Sequence, residues 1–315
     1  MARDKSECVM ERTCWRGVVV EHPSAWEISM AAGPGEQGRL TFVDRRYTRL
    51  DLRWRPLTYV PNMPDMLERF RREVKQADDG TELLPLKGVP EPWKGFHRRG
   101  QQGSVIHATR FFKEQRLLME AVIVWPTTRH RDVERHMLSS VVLESDDGEV
   151  TEAGKVSRWR ALGLETDVPA EFRLTDNDAK VGRVVWTFAG PEEKRPPQLV
   201  IERLAMVEHW LDKRVDEWLI AELPPGSRVV DERKLLFNGH GARELLSQTK
   251  IGTLPTLMNW RRVRLDVAWR CDRDLRLYHV SYTVVVKKDQ AVELPRALRV
   301  VCCQRPPVVE DDVEL

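Results

Sequence analysis

One short phrase occurs twice in this chain, and that repetition constrains the fold more than any other feature. Residues 22–28 read HPSAWEI and residues 168–174 read VPAEFRL. Each places an aromatic, Trp26 or Phe172, three residues after a proline, and the aromatic opens a run of β-forming residues. The surroundings repeat in the same order. Upstream, Cys14-Trp15-Arg16-Gly17 stands against Arg158-Trp159-Arg160-Ala161. Downstream, Gly38-Arg39-Leu40-Thr41-Phe42 stands against Gly182-Arg183-Val184-Val185-Trp186. Residues 48–54, TRLDLRW, alternate apolar and charged side chains with period two, as a strand with one buried face does. Their counterpart is QLVIERL, residues 198–204.

A helix is expected next in each half. Met63, Leu67, Phe70 and Val74 form an apolar stripe in the first, and Leu204, Val207, Leu211, Val215 and Trp218 do so in the second. Gly-containing turns then lead into two long strands on each side of a short polar loop. These are SVIHATRFF and RLLMEAVIVW around Lys113-Glu114-Gln115, and RRVRLDVAW and LRLYHVSYTVVV around Asp272-Arg273-Asp274. The first half closes with a second helix, RHRDVERHMLSS. Residues 145–155, SDDGEVTEAGK, have the composition of a linker. The expected organisation is a duplicated α+β domain: a first repeat at residues 1–144, a linker at 145–155 and a second repeat at 156–315. Each repeat is expected to be an antiparallel sheet with helices packed on it.

Three phrases carry a resemblance to a known family. HPSAWEI resembles a Pro-x-x-Trp strand entry. NGHGARELL, residues 238–246, resembles a Gly-x-x-Ala turn into a central hairpin. HMLSSVVL, residues 136–143, resembles a last helix running into a Ser-capped final strand. Together they are similar to the PsbP-like/Mog-like family, here apparently as two tandem copies. The resemblance implies a non-enzymatic binding or assembly module with no catalytic site to carry over. The chain departs from much of that family in being double and in lacking a transit peptide or lipoprotein signal.

Charge decides between partner classes. Lys and Arg number 51 and Asp and Glu 49, so the balance is nearly even and gives no nucleic-acid footprint, which needs basic charge clustered on one face. The N-terminus, MARDKSECVMERTCW, is charged throughout and does not read as a signal peptide. No window approaches the ~18–20 apolar residues of a membrane span. A cytoplasmic location is expected. Cys8, Cys14, Cys271, Cys302 and Cys303 are odd in number and lack framework spacing, so they are expected as thiols.

No P-loop, dinucleotide fingerprint, nucleophile elbow or metalloprotease helix is present. No catalytic residue, cofactor or metal is therefore expected. Gly239-His240-Gly241 is the most site-like phrase. His240 is either a base or metal ligand beside permissive glycines, or part of a turn or helix start with Asn238 as cap; the second is expected. Cys302-Cys303 would join Cys8 and Cys14 in a zinc site only if the termini met. Their spacing is unlike the usual pairs, so buried inert thiols are expected. The run from Arg129 to His136 is either a phosphate site or a solvated helix face with internal ion pairs, and the second is expected. Lys94, His97, Arg98 and Arg99 are expected as a basic loop before a strand. Tryptophans often precede arginines, as in Trp54-Arg55, Trp159-Arg160, Trp260-Arg261 and Trp269-Arg270. Neighbours on a strand face opposite ways, so core packing is expected for most of the tryptophans.

The expected function is a non-enzymatic protein-binding module, an adaptor or assembly factor, with another protein as partner and no membrane. The alternative is nucleic-acid or anionic-ligand binding through Arg-rich sheet faces. A third possibility is an enzyme with an unrecognised site around His240. The first two are separated by whether Arg49, Arg53, Arg262 and Arg264 meet acidic partners or stand as an unpaired patch.

Overall fold

A computed structural model describes residues 8–33, 36–77, 82–100, 103–144, 149–151, 154–191, 194–250, 260–287 and 290–303. The expectations for residues 1–7 and for linker positions 145–148 and 152–153 fall outside these. The chain forms two compact units: Met1–Asp146 with Trp159–Gly163, and Asp147–Arg158 with Leu164–Leu315.

The first unit runs β1 (Met10–Trp15), β2 (Val18–Pro23), β3 (Glu27–Ala32), β4 (Gly38–Val43), β5 (Thr48–Pro56), α1 (Met63–Ala77), β6 (Glu82–Pro85), β7 (Lys94–Gly100), β8 (Gly103–Phe112), β9 (Leu117–Trp125), α2 (Arg131–Ser140) and β10 (Val142–Leu143). Its large antiparallel sheet has the order β3-β4-β5-β9-β8-β7-β6. Leu40, Phe42, Leu52, Ile106, Leu118 and Met119 are fully buried on that sheet. The apolar stripe of α1 brings Phe70 edge-on to Phe96 and His107 at 5.5 and 5.2 Å between centroids. Strand β2 lies between β1 and β10, and Trp15 meets Trp159 edge-on at 5.5 Å.

The second unit contains β11 (Glu149–Thr151), most of β12 (Gly154–Ala161), β13 (Leu164–Pro169), β14 (Arg173–Lys180), β15 (Arg183–Ala189), β16 (Gln198–Leu204), α3 (Val207–Trp210), α4 (Val215–Ala221), β17 (Arg228–Phe237), β18 (His240–Lys250), β19 (Trp260–Cys271), β20 (Arg276–Lys287) and β21 (Arg299–Val301). Its large sheet has the order β14-β15-β16-β20-β19-β18-β17. Within the segment expected as a linker, β11 pairs with the start of β12.

The two proline phrases make one local structure. The amide of Trp26 donates to the Pro23 carbonyl at 2.9 Å, and that of Phe172 to the Pro169 carbonyl at 2.9 Å. A bulge follows at the same distance in each, between Ile28 and Met30 and between Leu174 and Asp176. The bulged hydroxyls reach across the ladder, Ser29 to the Thr41 carbonyl at 3.2 Å and Thr175 to the Thr187 carbonyl at 3.1 Å. The neighbouring phrases align two residues away from where their letters suggest. The left-handed pair Arg16-Gly17 corresponds to Leu162-Gly163, so Trp15 corresponds to Ala161 and not to Trp159.

Two expectations are corrected. Strand makes up 56% and helix 13% of the described residues, so the fold is mostly β and not α+β with helices packed on the sheets. The stripe from Leu204 to Trp218 is not one helix. Leu204 ends β16, Met206 is left-handed with φ of 53°, and two short helices follow. A left-handed residue cannot continue a right-handed helix. Apolar residues at helical spacing here straddle a strand end, two short helices and the loop between them.

Candidate functional site

Three connections of the second unit converge on a cluster of metal-ligating side chains. The β17–β18 connection is a two-residue turn in which Asn238 and Gly239 have φ of 52° and 76°, and His240 follows as the first residue of β18. The β19–β20 connection begins at Cys271, the last residue of β19. Beyond β21 come Cys302 and Cys303. The ligand atoms of His240, Cys271, Cys302 and Cys303 all lie within 4.8 Å of one another. Cys303 Sγ is 3.4 Å from His240 Nε2. Successive residues of an extended chain send side chains to opposite sides. Cys303 escapes that rule with φ of 40°.

The surroundings orient the sulfurs. The Trp269 indole N–H points at Cys302 Sγ from 3.4 Å, and Trp269 is itself held between Phe237 at 4.6 Å and Tyr278 at 5.5 Å. The Asp274 and Arg273 amides favour the Cys271 thiolate, while burial opposes it and pushes the thiol up. The Asn238 side-chain amide donates to the Val300 carbonyl, which ties the hairpin tip to β21. Burial pushes the Cys302 thiol up to about 12, and the neighbouring sulfurs of Cys271 and Cys303 push the same way. His240 thus opens a strand directly after the turn instead of lying in it, beside three thiols that sequence spacing did not connect. Cys8 and Cys14, the partners weighed for Cys302 and Cys303, lie in the other unit, where the Cys14 thiol donates to Glu144 at 3.3 Å.

A buried charge network lies elsewhere on the same sheet, and no sequence signal marked it. His279 of β20 is bonded through Nδ1 to Glu202 of β16 at 3.2 Å and through Nε2 to Asp266 of β19 at 2.8 Å. Burial pulls the imidazolium down, but the bonds to the two carboxylates win and the net shift is upward. Arg183 closes on Glu202 at 2.5 Å and Arg264 on Asp266 at 2.9 Å. Trp218 of α4 covers the imidazole edge-on at 5.3 Å. His279 is 4% exposed, so no substrate reaches it.

The arginines of the sheet faces are mostly neutralised. Arg53 shares Asp51 with Arg39, at 2.8 and 2.7 Å. Arg49 is 3.5 Å from Asp44 and lies over the rings of Trp26 and Trp125. Arg264 has Asp266; Arg262 is exposed and makes no ion pair among the described residues. The run from Arg129 to His136 is also paired. Arg129 grips Glu134 with three bonds of 2.8 to 2.9 Å, Arg135 lies 3.6 Å from Asp132, and His136 bonds Glu21 at 2.5 Å. Lys94, His97, Arg98 and Arg99 lie in β7 itself and not in a loop before a strand.

Strand β17 is one edge of the second large sheet, and β14 is the other. Among the described residues nothing pairs with the outer side of β17. Seven consecutive residues, Arg228–Lys234, are exposed, and Val230 at 51% and Leu236 at 80% stand in solvent.

No family model matches the sequence, and no curated protein matches it. Two solved structures of an immunity protein, TplEi of the T6SS from Pseudomonas aeruginosa, are similar in extent. The one complexed with "L" peptide has 10% identity and a TM-score of 0.34, covering 91% of this chain and 90% of that one. The apo structure has 10% identity and a TM-score of 0.31, covering 92% and 91%. The resemblance to the PsbP-like/Mog-like family is corrected: no family model and no curated protein of that family matches, and the strand-dominated fold is not the one it implies. No described helix is long and apolar enough to cross a membrane.

Proposed function

We propose that the chain is a non-enzymatic protein-binding module whose partner adds an extended segment to the open edge of β17. The observation that carries this is the ten-residue length of that edge strand, with apolar side chains in solvent and its outer side unpaired among the described residues. Such an edge is a template for backbone hydrogen bonding by another chain, and its alternate side chains supply selectivity. The pairing of Arg49, Arg53 and Arg264 with carboxylates favours this over nucleic-acid binding, because paired arginines leave little free positive charge for phosphates. An adaptor or assembly role in the cytoplasm, and a division at residues 145–155, belong to the same proposal.

The test is site-specific photo-crosslinking from position 233 in cells, beside titration with random-sequence DNA and RNA. The expected result is one protein crosslinked through an extended segment, with its yield cut at least tenfold by the double variant Val230→Lys, Leu236→Lys. Nucleic-acid affinity that falls roughly 10³-fold between 50 and 200 mM salt, with no protein crosslink, overturns the proposal.

A further inference from the structure

The four side chains at the end of the second unit's sheet match a recognised coordination chemistry. Three sulfurs and one imidazole nitrogen form a Cys3His set, which suits zinc and is foreign to magnesium or calcium, whose ligands are oxygens. A zinc tetrahedron with ~2.3 Å zinc–sulfur arms has edges of roughly 3.8 Å. The present separations, none above 4.8 Å, reach that figure by small side-chain movements. The ligands come from three segments far apart in sequence, at residues 240, 271 and 302–303, so one ion would cross-link the ends of β18, β19 and β21.

Two further observations point the same way. The left-handed backbone at Cys303 brings consecutive sulfurs toward one centre, which an extended chain cannot do. A donor also aims at one of the sulfurs, the Trp269 indole at Cys302 from 3.4 Å, and the Arg273 and Asp274 amides favour the thiolate at Cys271. N–H groups in that position stabilise thiolates and fix their orientation around a metal.

We propose that His240, Cys271, Cys302 and Cys303 bind one zinc ion in a closed, structural site. All four tetrahedral positions are filled by protein, so the ion holds no open position for water or substrate. Binding displaces the three thiol protons to solvent, and no electron changes hands.

The experiment uses the full chain, purified with reductant and dialysed against metal-free buffer. Elemental analysis is expected to find one zinc per chain in the wild type and in Cys8→Ser, an exposed cysteine outside the cluster. Cys271→Ser, Cys302→Ser and His240→Ala are each expected to lose at least tenfold in bound zinc. Because a variant can fail to fold, the wild type carries an independent readout. Cobalt exchanged for zinc should give thiolate-to-cobalt charge transfer and the strong visible bands of a tetrahedral ion. Wild-type protein with less than a tenth of an equivalent of zinc and no tetrahedral cobalt spectrum overturns the proposal. So does full zinc in Cys302→Ser, or a disulfide among Cys271, Cys302 and Cys303 in protein isolated from cells without reductant.

Discussion

Gly38 and Trp54 face each other across β4 and β5, and the indole of Trp54 lies where a side chain of residue 38 would stand. A Cβ on Gly38 would meet three ring atoms of Trp54 at 2.0, 2.3 and 2.7 Å. The ring cannot swing clear cheaply, because Trp54 is almost fully buried. Gly38→Ala should therefore destabilise the first unit by about 1–3 kcal/mol through overpacking. Urea unfolding followed by tryptophan fluorescence measures the loss. A variant as stable as wild type would show that the indole is free to move.

Glu134 joins α2 to β9 and to the loop between them. It accepts from the Trp125 indole at 2.6 Å and from Arg129, whose side chain is only 13% exposed. Glu134→Gln keeps a partner for the indole but leaves a buried guanidinium without its countercharge. The expected loss is about 3 kcal/mol or more. Replacing both residues, as Glu134→Gln with Arg129→Met, should recover part of it, and denaturant midpoints for the two variants decide the matter.

His107 should make the first unit acid-sensitive. Burial, with a smaller contribution from the Arg98 charge, depresses its pKa from 6.5 to about 4. Its ring stacks on Phe96 at 4.7 Å, and neither nitrogen has a hydrogen-bond partner among the described residues. The unfolded chain takes up the proton first, so stability is full above the unfolded pKa and falls as pH drops from 6.5 toward 4. Burial lowers His22 and His97 as well, so they act in the same direction. Replacing His107 with Phe should flatten part of that slope in denaturation curves taken at pH 7 and pH 5.

His279 should act with the opposite sign in the second unit. Its pKa is raised in the folded state, so its contribution is fully present below the unfolded pKa and is lost as pH rises through the folded value. Glu202→Gln removes one carboxylate and should lower the imidazole pKa. Imidazole proton resonances followed through a pH titration give both numbers. A His279 that titrates at its ordinary value in wild type would refute the charge network as drawn.

Local geometry was legible where a few adjacent residues decide it. The strands that open after Trp26 and Phe172, the stripe of α1, the end of α2 at Ser140 and the polar loops of the long hairpins, each one residue longer than expected, follow from local chemistry. Register was not legible, because a strand looks the same when its letters slide by two. Aligning Trp15 with Trp159 made that error, and the left-handed pairs Arg16-Gly17 and Leu162-Gly163 correct it. Fold class failed where apolar spacing at Leu204, Val207 and Leu211 was compatible with a helix, while pairing of Leu204 to Leu277 held the first of them in a strand. The family resemblance rested on phrases of under ten residues, which many strand-rich chains contain. The cluster at Cys271, Cys302 and Cys303 was invisible for a different reason. Its members meet only through the order of strands, and the turn at Cys303 that aligns two successive sulfurs has no sequence mark.

The bond from Asn238 to the Val300 carbonyl gives the open edge and the thiols a common anchor. Strand β17 ends at Phe237, one residue before Asn238, and β21 ends at Val301, one residue after Val300 and immediately before the cysteine pair. Were an ion to hold the sulfurs and a strand to dock on β17, this bond would link the two events, and each would then favour the other by the same factor.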